Sequence, residues 1–375
     1  MQKLMTASAD YAELDGYFAA SGAKCVLLVC GSSFEKLPLH TYFDTLEQRC
    51  GIRVVRFSDF QPNPEFRSAV KGMSVFRAHD CDMLVSVGGG SAMDVAKCIK
   101  LCLTSSDPEH ALHVPFVPNT VPFLAVPTTA GSGSEATRFA VVYENGVKQS
   151  AADDSILPDA VLFDPDTLKT LPLYQKKSTM LDAVCHAVES FWSVHSDAES
   201  MKYAAAALRL VIANEEGYLS GTDEGCRNML KAAHFAGKAI NVTKTTAGHA
   251  MCYKLTTHFG ISHGHAAALC VKALLPYMYA HPELCIDGRG AAHLEQVYAQ
   301  IAEAMGCASA AQLPVFFASF VDSLLPGIDA PVSAADLQML TDSVNTERLQ
   351  NHPVRLTADT IRQLYAKILG KEQLL

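Results

Sequence analysis

Met83-Leu84-Val85-Ser86-Val87-Gly88-Gly89-Gly90-Ser91-Ala92-Met93-Asp94-Val95-Ala96-Lys97 is the stretch that decides the fold. A short apolar run stops at three glycines, and an amphipathic pattern begins at once. This reads as a buried strand, a tight turn and a helix, the unit from which parallel sheets are wound. Glycines let a backbone approach a phosphate closely and adopt positive φ. The free N–H groups of the first helical turn and the helix dipole then favour an anion. Ser91 is placed to cap that helix or to donate to a phosphate oxygen. The stretch is not the G-x-G-x-x-G fingerprint, and taken alone it is as readily a plain turn.

The neighbouring segments repeat the alternation. Cys25–Val29, Arg53–Phe57, Phe123–Val126 and Val161–Phe163 read as further strands. Glu65–His79 and Met93–Leu103 read as helices between them. Such alternation predicts a doubly wound parallel sheet. A second loop, Pro127-Thr128-Thr129-Ala130-Gly131-Ser132-Gly133-Ser134-Glu135-Ala136-Thr137, also follows a strand. It is either a hydroxyl-rich partner to the glycine turn or a plain loop with a Ser132–Glu135 capping box. Two such loops in one domain favour a dinucleotide site.

Beyond the Asp164-Pro165 turn the pattern becomes helical: Ser178–Val194, Glu199–Leu219, Arg227–Ile240, Ala266–Ala280, Leu294–Met305 and Ala358–Leu369. The expected organisation is an α/β dinucleotide-binding domain over 1–165 and an all-helical domain over 166–375. A cleft between two such halves is a usual ligand site.

Composition narrows the class. Of 375 residues, 49% are apolar and 18% charged, enough for a sizeable core and too ordered for a disordered chain. A formal charge of −9 and no polybasic run argue against nucleic acid or anionic lipid as partner. The N-terminus shows no basic segment followed by an apolar one, so no signal peptide is expected. The most apolar segment, Ala111–Pro127, carries four prolines, which argues against a membrane span. Twelve cysteines without a C-x-x-C pair suit a reduced, cytoplasmic protein.

In the helical part, Asp182 and His186 stand four apart, on one helix face. His249 and His263 follow, each flanked by small residues. One carboxylate and three imidazoles suit iron(II) or zinc, although an Asp/His pair at this spacing is also a common surface contact.

Gly88-Gly89-Gly90-Ser91-x-x-Asp94-x-Ala96-Lys97, Pro127-Thr128-Thr129-Ala130-Gly131-x-Gly133-Ser134-Glu135, Asp182-x-x-x-His186 and His263-Gly264 together resemble the iron-containing alcohol dehydrogenase family. The resemblance runs from about residue 20 to the end. It implies a dehydroquinate synthase-like fold, NAD(P), and one divalent metal, iron(II) preferred and zinc an alternative, held by Asp182, His186, His249 and His263. It places the cofactor against Gly31, Ser32, Gly88, Gly89, Gly90, Ser91, Asp94, Thr128, Thr129, Ser132 and Lys148. Two departures stand out. Tyr253 occupies a position where family members commonly carry a second histidine. The first strand runs into Gly31-Ser32-Ser33, with no carboxylate to repel a 2′-phosphate, so NADP(H) is expected to be accepted.

Ser134–Phe139, Thr170–Ser178, Tyr253–Thr257 and His263–His265 further resemble the phosphonoacetaldehyde reductase branch of that family. Independently, Arg138, Lys254 and Arg348 lie on segments that line the family's substrate pocket. Arg gives a bidentate grip on phosphonate oxygens and Lys a point charge. With Tyr253 they are the expected catalytic and substrate-binding set, and a small aldehyde or alcohol is the expected partner, with a homodimer as the expected assembly. The generic reading is a short-chain alcohol or polyol dehydrogenase. The rivals are a dehydroquinate-synthase-like lyase, which uses NAD only transiently, and a non-catalytic metal or nucleotide sensor.

Overall fold

The computed structural model describes residues 2–344 and 346–375; Asn345, beside Arg348 in the sequence, lies outside them. Eight strands form among the described residues, β1 (Lys3–Thr6), β2 (Cys25–Cys30), β3 (Arg53–Phe57), β4 (Met83–Gly88), β5 (Phe123–Pro127), β6 (Phe139–Glu144), β7 (Val147–Ala152) and β8 (Ala160–Phe163). Six of them build one sheet in the order β1-β8-β5-β4-β2-β3, every pair parallel. β6 and β7 form a separate antiparallel hairpin.

Continuous apolar runs suit strands buried on both faces, and side-chain alternation sorts them into two cores. Val26, Leu28, Cys30, Val85, Val87 and Leu124 face one layer, which Leu14 and Phe18 of α1 (Ala12–Ser21) help to close. Cys25, Leu27, Val29, Leu84 and Phe123 face the other. That second layer is filled from α2 (Phe66–Ala78) by Phe66, Met73 and Phe76, and from α3 (Gly90–Cys102) by Val95, Ala96 and Ile99.

The sequence reading placed five of these strands. β1 escapes it because only Met5 of its four residues is buried, so no apolar run marks this edge strand. The hairpin carries a signal that the reading passed over. Asn145 and Gly146 both take positive φ, 53° and 76°, the pair that a two-residue turn between antiparallel strands demands. In the second loop the N-cap position falls on Gly133, one residue after the Ser132 of the capping-box alternative. A short turn at Ser134–Ala136 follows Gly133, whose φ is 59°, without a side-chain cap.

The rest of the chain is helical. It contains α4 (Leu173–Trp192), α5 (Ala198–Ser220), α6 (Asp223–Thr243), α7 (Ala247–Phe259), α8 (His263–Ala280), α9 (Ala291–Ala304), α10 (Leu313–Leu324), α11 (Ala334–Asp342) and α12 (Ala358–Ile368). By contact, one unit comprises residues 1–129, 133–171 and 221–230, and the other 130–132, 172–220 and 231–375. Within the first unit, Thr167 Oγ1 donates to the Pro127 carbonyl at 3.0 Å, and Lys169 pairs with Asp223 at 2.5 Å. These bonds hold residues 166–171 and 221–230 with the sheet. No helix among the described residues is long and apolar enough to cross a membrane.

Lys97 is fully buried in α3. Its ammonium donates to the carbonyls of Ser134, Thr137 and Phe139 at 2.6, 2.7 and 2.7 Å. It thereby ties the second loop and the start of the hairpin to α3, and burial pulls its pKa down to about 8 against the pull of Asp94 and Glu135. Replacing Lys97 by Met removes its bonds to all three carbonyls, of which that of Ser134 keeps the Thr137 N–H. With about 1.5–3 kcal/mol per charge-assisted bond and incomplete additivity, the expected outcome in a thermal melt is a midpoint lower by roughly 5–15 °C.

Candidate active site

In the first unit, the strand order changes direction at β2. The chain passes from β2 outward to β3, then returns to β4 on the other side of β2. The crevice beyond the carboxyl ends of the strands at such a switch point is where open α/β sheets bind ligands. Gly31 and Ser32 follow β2 there, and Gly88 to Gly90 carry the chain from the end of β4 into α3.

The glycines act by contact, not by unusual dihedrals. None of Gly88, Gly89 and Gly90 takes a positive φ; Gly89 is extended at −83°. A Cβ on Gly88 would meet the Ala92 Cβ at 2.5 Å, and one on Gly89 would meet Thr129 Oγ1 at 3.0 Å. Thr128 N–H donates to the Gly88 carbonyl at 3.0 Å, so the two loops lie side by side. α3 starts at Gly90 without a side-chain cap, and Ser91 sits inside its first turn instead of capping it. These features fit a pyrophosphate group: bare backbone, an uncapped helix start and flanking hydroxyls.

Asp94 is turned inward. Ser134 Oγ donates to it at 3.0 Å, and burial, opposed by Lys97, Ser134 and Lys148, raises its pKa to about 6. Asp94 and Lys148 are thus electrostatic neighbours within the first unit. Ser132 belongs to the second unit, while Thr128 and Thr129 belong to the first.

In the second unit, α4 carries Asp182, His186 and Glu189 on one face, at helical steps of four and three. Asp182, His249 and His263 bring one ligand atom each within 4.8 Å of one another. Asp182 Oδ1 lies 3.3 Å from His249 Nε2, 3.9 Å from His186 Nε2 and 4.0 Å from His263 Nε2. Tetrahedral donors about 2.1 Å from one ion stand about 3.4 Å apart, so Asp182, His249 and His263 fit a divalent cation, while His186 lies outside that group of three.

The opposite ring nitrogens are engaged elsewhere. His249 Nδ1 bonds Glu189 Oε2, His186 Nδ1 lies 3.4 Å from the Gly131 carbonyl, and His263 Nδ1 lies 3.5 Å from Cys252 Sγ. Second partners of this kind fix a ligand's orientation and basicity. The sequence reading missed Glu189, although it stands seven residues after Asp182 on the same face. It is fully buried, and its Oε1 accepts from Thr246 N–H (3.0 Å), Thr246 Oγ1 (2.6 Å) and Gly248 N–H (2.9 Å).

Electrostatics follow this wiring. Burial alone would raise Asp182 and Glu189. The imidazoles outweigh it, holding Asp182 well below the carboxylate range and Glu189 at about 2. Burial depresses His249 less than Glu189 and Asp182 raise it, to about 9, whereas His186 is lowered by burial first.

Close backbone approach sets the spacing. A Cβ on Gly264 would collide with the Ser178 carbonyl and stand 2.7 Å from the Asp182 Cβ, and one on Gly248 would stand 2.7 Å from Val271.

The expected substrate residues divide. Tyr253 stacks on His263, ring centroids 5.4 Å apart at 19°, and the Arg348 guanidinium lies over the Tyr253 ring at 5.1 Å. Arg348 also donates to Thr245 Oγ1 at 2.6 Å. Burial, opposed by Arg348, keeps the Tyr253 phenol protonated well above its ordinary range. Lys254 follows Tyr253 on α7 and therefore points about 100° away from it. Arg138 pairs with Asp154 at 3.2 Å within the first unit.

Two outcomes test the site. Glu189→Gln should weaken binding of added Fe²⁺ or Zn²⁺ by about 10–100-fold, read by metal titration and elemental analysis. Gly89→Val should abolish NADPH binding, read by nucleotide fluorescence, while metal content stays unchanged.

Residues 2–165 match the iron-containing alcohol dehydrogenase family, and residues 176–369 match the C-terminal domain of the Fe-containing alcohol dehydrogenase family. The chain is 31% identical over 306 residues to the phosphonoacetaldehyde reductase of Streptomyces viridochromogenes, covering 77% of this chain and 76% of that one. It is similar to a solved 1,3-propanediol oxidoreductase, with 25% identity, a TM-score of 0.86 and 98% of each chain covered. It is also similar to the sulfoacetaldehyde reductase of Bifidobacterium kashiwanohense solved with NAD+, with 25% identity, a TM-score of 0.85, and 98% of this chain and 96% of that one covered. A six-stranded parallel domain followed by a helical one is the dehydroquinate synthase-like class expected of such proteins. The chain belongs to the iron-containing alcohol dehydrogenase family and is an NAD(P)-dependent oxidoreductase of alcohols and aldehydes.

Proposed function

We propose that the protein reduces a small aldehyde carrying a compact oxyanion, with phosphonoacetaldehyde as the leading substrate. The observation that carries this reading is the guanidinium of Arg348 stacked over Tyr253, which is itself stacked on His263. A cation thus stands one ring away from the proposed metal ligands. Two relatives are named for aldehydes of this kind, one a phosphonate and one a sulfonate. Arg348 replaces Arg138 and Lys254 as the principal anion-binding group, because Arg138 is paired with Asp154 and Lys254 projects away from Tyr253.

Asp182, His186, His249 and His263 would hold the metal, with iron(II) our choice. When bound, the ion polarises the carbonyl oxygen, and the nicotinamide supplies hydride. The chain's own groups do the remaining work. The Gly88–Gly90 turn and the first turn of α3 bind the pyrophosphate. Glu189 aims His249. Arg348, fixed by Thr245 and Tyr253, presents a planar fork to the oxyanion and orients the aldehyde. Tyr253 Oη keeps its proton across the neutral range and donates it toward the oxygen that becomes the alcohol.

Replacing Arg348 by Met should lower kcat/KM for phosphonoacetaldehyde by roughly ten- to a hundredfold, the loss of one charge-assisted contact of about 1.5–3 kcal/mol. Turnover of propanal, metal content and NADPH affinity should change little. A native enzyme that prefers propanal, with a preference indifferent to Arg348, would leave only the generic dehydrogenase.

NADPH is expected to serve at least as well as NADH, because Gly31 and Ser32 bring no carboxylate to a 2′-phosphate. Gly31 has open space where a side chain would go. Gly31→Asp should therefore shift preference toward NADH without loss of stability. Native protein that uses NADH efficiently and rejects NADPH sinks this reading.

A further inference from the structure

The first unit contains a pair of thiols that the reaction does not use. Cys25 begins β2, and Cys81 lies two residues before β4. Their sulfurs are 3.5 Å apart, and both residues are buried.

The surroundings hold both backbones. Cys25 N–H donates to Asp82 Oδ1 at 3.1 Å, and Asp82 N–H donates to the Cys25 carbonyl at 2.9 Å. Cys81 N–H donates to the Phe76 carbonyl at 3.0 Å, and Asp80 just before it takes a left-handed φ of 50°. Arg53, exposed at the start of β3, donates from Nε to Cys25 Sγ at 3.3 Å and from its fork to the His79 carbonyl. The thiols therefore lie under a thin rim of exposed residues, with a cation against the Cys25 sulfur.

We propose that Cys25 and Cys81 form a peroxide-reactive dithiol that closes to a reversible disulfide between β2 and β4. The sulfurs must approach by about 1.5 Å to reach disulfide length, a distance within the reach of side-chain torsions while the backbones stay pinned. Cys25 is the attacking sulfur, because Arg53 offers positive charge where negative charge is needed. Burial first and the Cys25 sulfur second push the Cys81 thiol up to about 12, so it is the protonated partner.

Hydrogen peroxide, small enough to pass the rim, is the oxidant. Cys25 Sγ gives up its proton and attacks one peroxide oxygen; an S–O bond forms, the O–O bond breaks, and hydroxide leaves with the sulfenic acid formed. The Cys81 sulfur then attacks Cys25; the S–S bond forms, the S–O bond breaks, and a second hydroxide leaves. The two thiol protons convert both hydroxides to water. Two electrons pass from the sulfurs to the peroxide. A thiol reductant reverses the bond by exchange.

The pair stands at the amino ends of its strands, while Gly31 and Gly88–Gly90 stand at the carboxyl ends. The inference is therefore independent of the substrate reading.

The test treats reduced, full-length protein with hydrogen peroxide, blocks remaining thiols with iodoacetamide and maps peptides by mass without reductant. The expected product is a linked Cys25–Cys81 peptide, two hydrogens lighter than its parts and removed by dithiothreitol. It should appear before exposed Cys50 is oxidised. In Cys81→Ser, dimedone should trap a sulfenic acid on Cys25, and Arg53→Gln should slow linkage severalfold. Full alkylation of Cys25 and Cys81 after Cys50 has reacted, or separate sulfinic acids without linkage, would overturn the proposal. The main readout uses the native chain and does not depend on whether a variant folds.

Discussion

Glu189 is the constraint around which the helical unit is arranged. A carboxylate without solvent must be satisfied wholly by protein, since an uncompensated buried charge costs several kcal/mol. One oxygen takes the Thr246 and Gly248 N–H groups and the Thr246 hydroxyl, and the other takes His249 Nδ1. These donors lie at the start of α7. The helix can therefore begin only where α4 presents Glu189, and its first imidazole can point only one way. Trp192, one turn further along α4, donates to the same Thr246 hydroxyl at 2.8 Å and locks the arrangement from behind. Gly248 and Gly264 are the backbone counterpart of this wiring, since a side chain at either would push the helices apart.

The sheet unit solves a different problem. Its inner strands β2, β4, β5 and β8 are buried on both faces, so helices must cover both, and the crossover at β2 leaves a crevice where two strand ends diverge. The Gly88–Gly90 turn borders that crevice, and Lys97, three residues after Asp94 on α3, anchors the loop that flanks it. A buried ammonium with three carbonyls is costly to desolvate and strongly directional once satisfied. It holds the Ser134–Phe139 segment at three carbonyls, beside the Ser134–Asp94 bond.

Much of this was legible in residue order. Strands β2, β4, β5 and β8 announce themselves as apolar runs, because two-sided burial leaves no polar alternation to confuse them, whereas the edge strand β3 is marked only by Val54, Val55 and Phe57 around exposed arginines. The Asp182/His186 pair follows from helical spacing, and the two distant histidines are picked out by their small flanking residues and joined to the pair as ligands by the family resemblance. Glu189 shares that spacing and was readable by the same rule. The substrate residues were not. Arg138, Lys254 and Arg348 look alike as cations in a sequence. Only packing shows that Asp154 claims the first, that helical rotation carries the second away from Tyr253, and that the third lies across an aromatic ring. Nor does residue order reveal why the glycines are there. The expectation of positive φ was reasonable, yet the turn is extended and the glycines answer to Ala92 and Thr129.

Gly31 differs from those glycines. Nothing stands within 4 Å of where its side chain would project, and its φ of −86° is open to every residue. Gly88 and Gly89 are hemmed in by neighbours, so drift at those positions is paid for in packing. At Gly31 it is not. The fold therefore tolerates a side chain at this position. On the reading proposed above, a change of dinucleotide preference made at Gly31 leaves the packing of the sheet untouched.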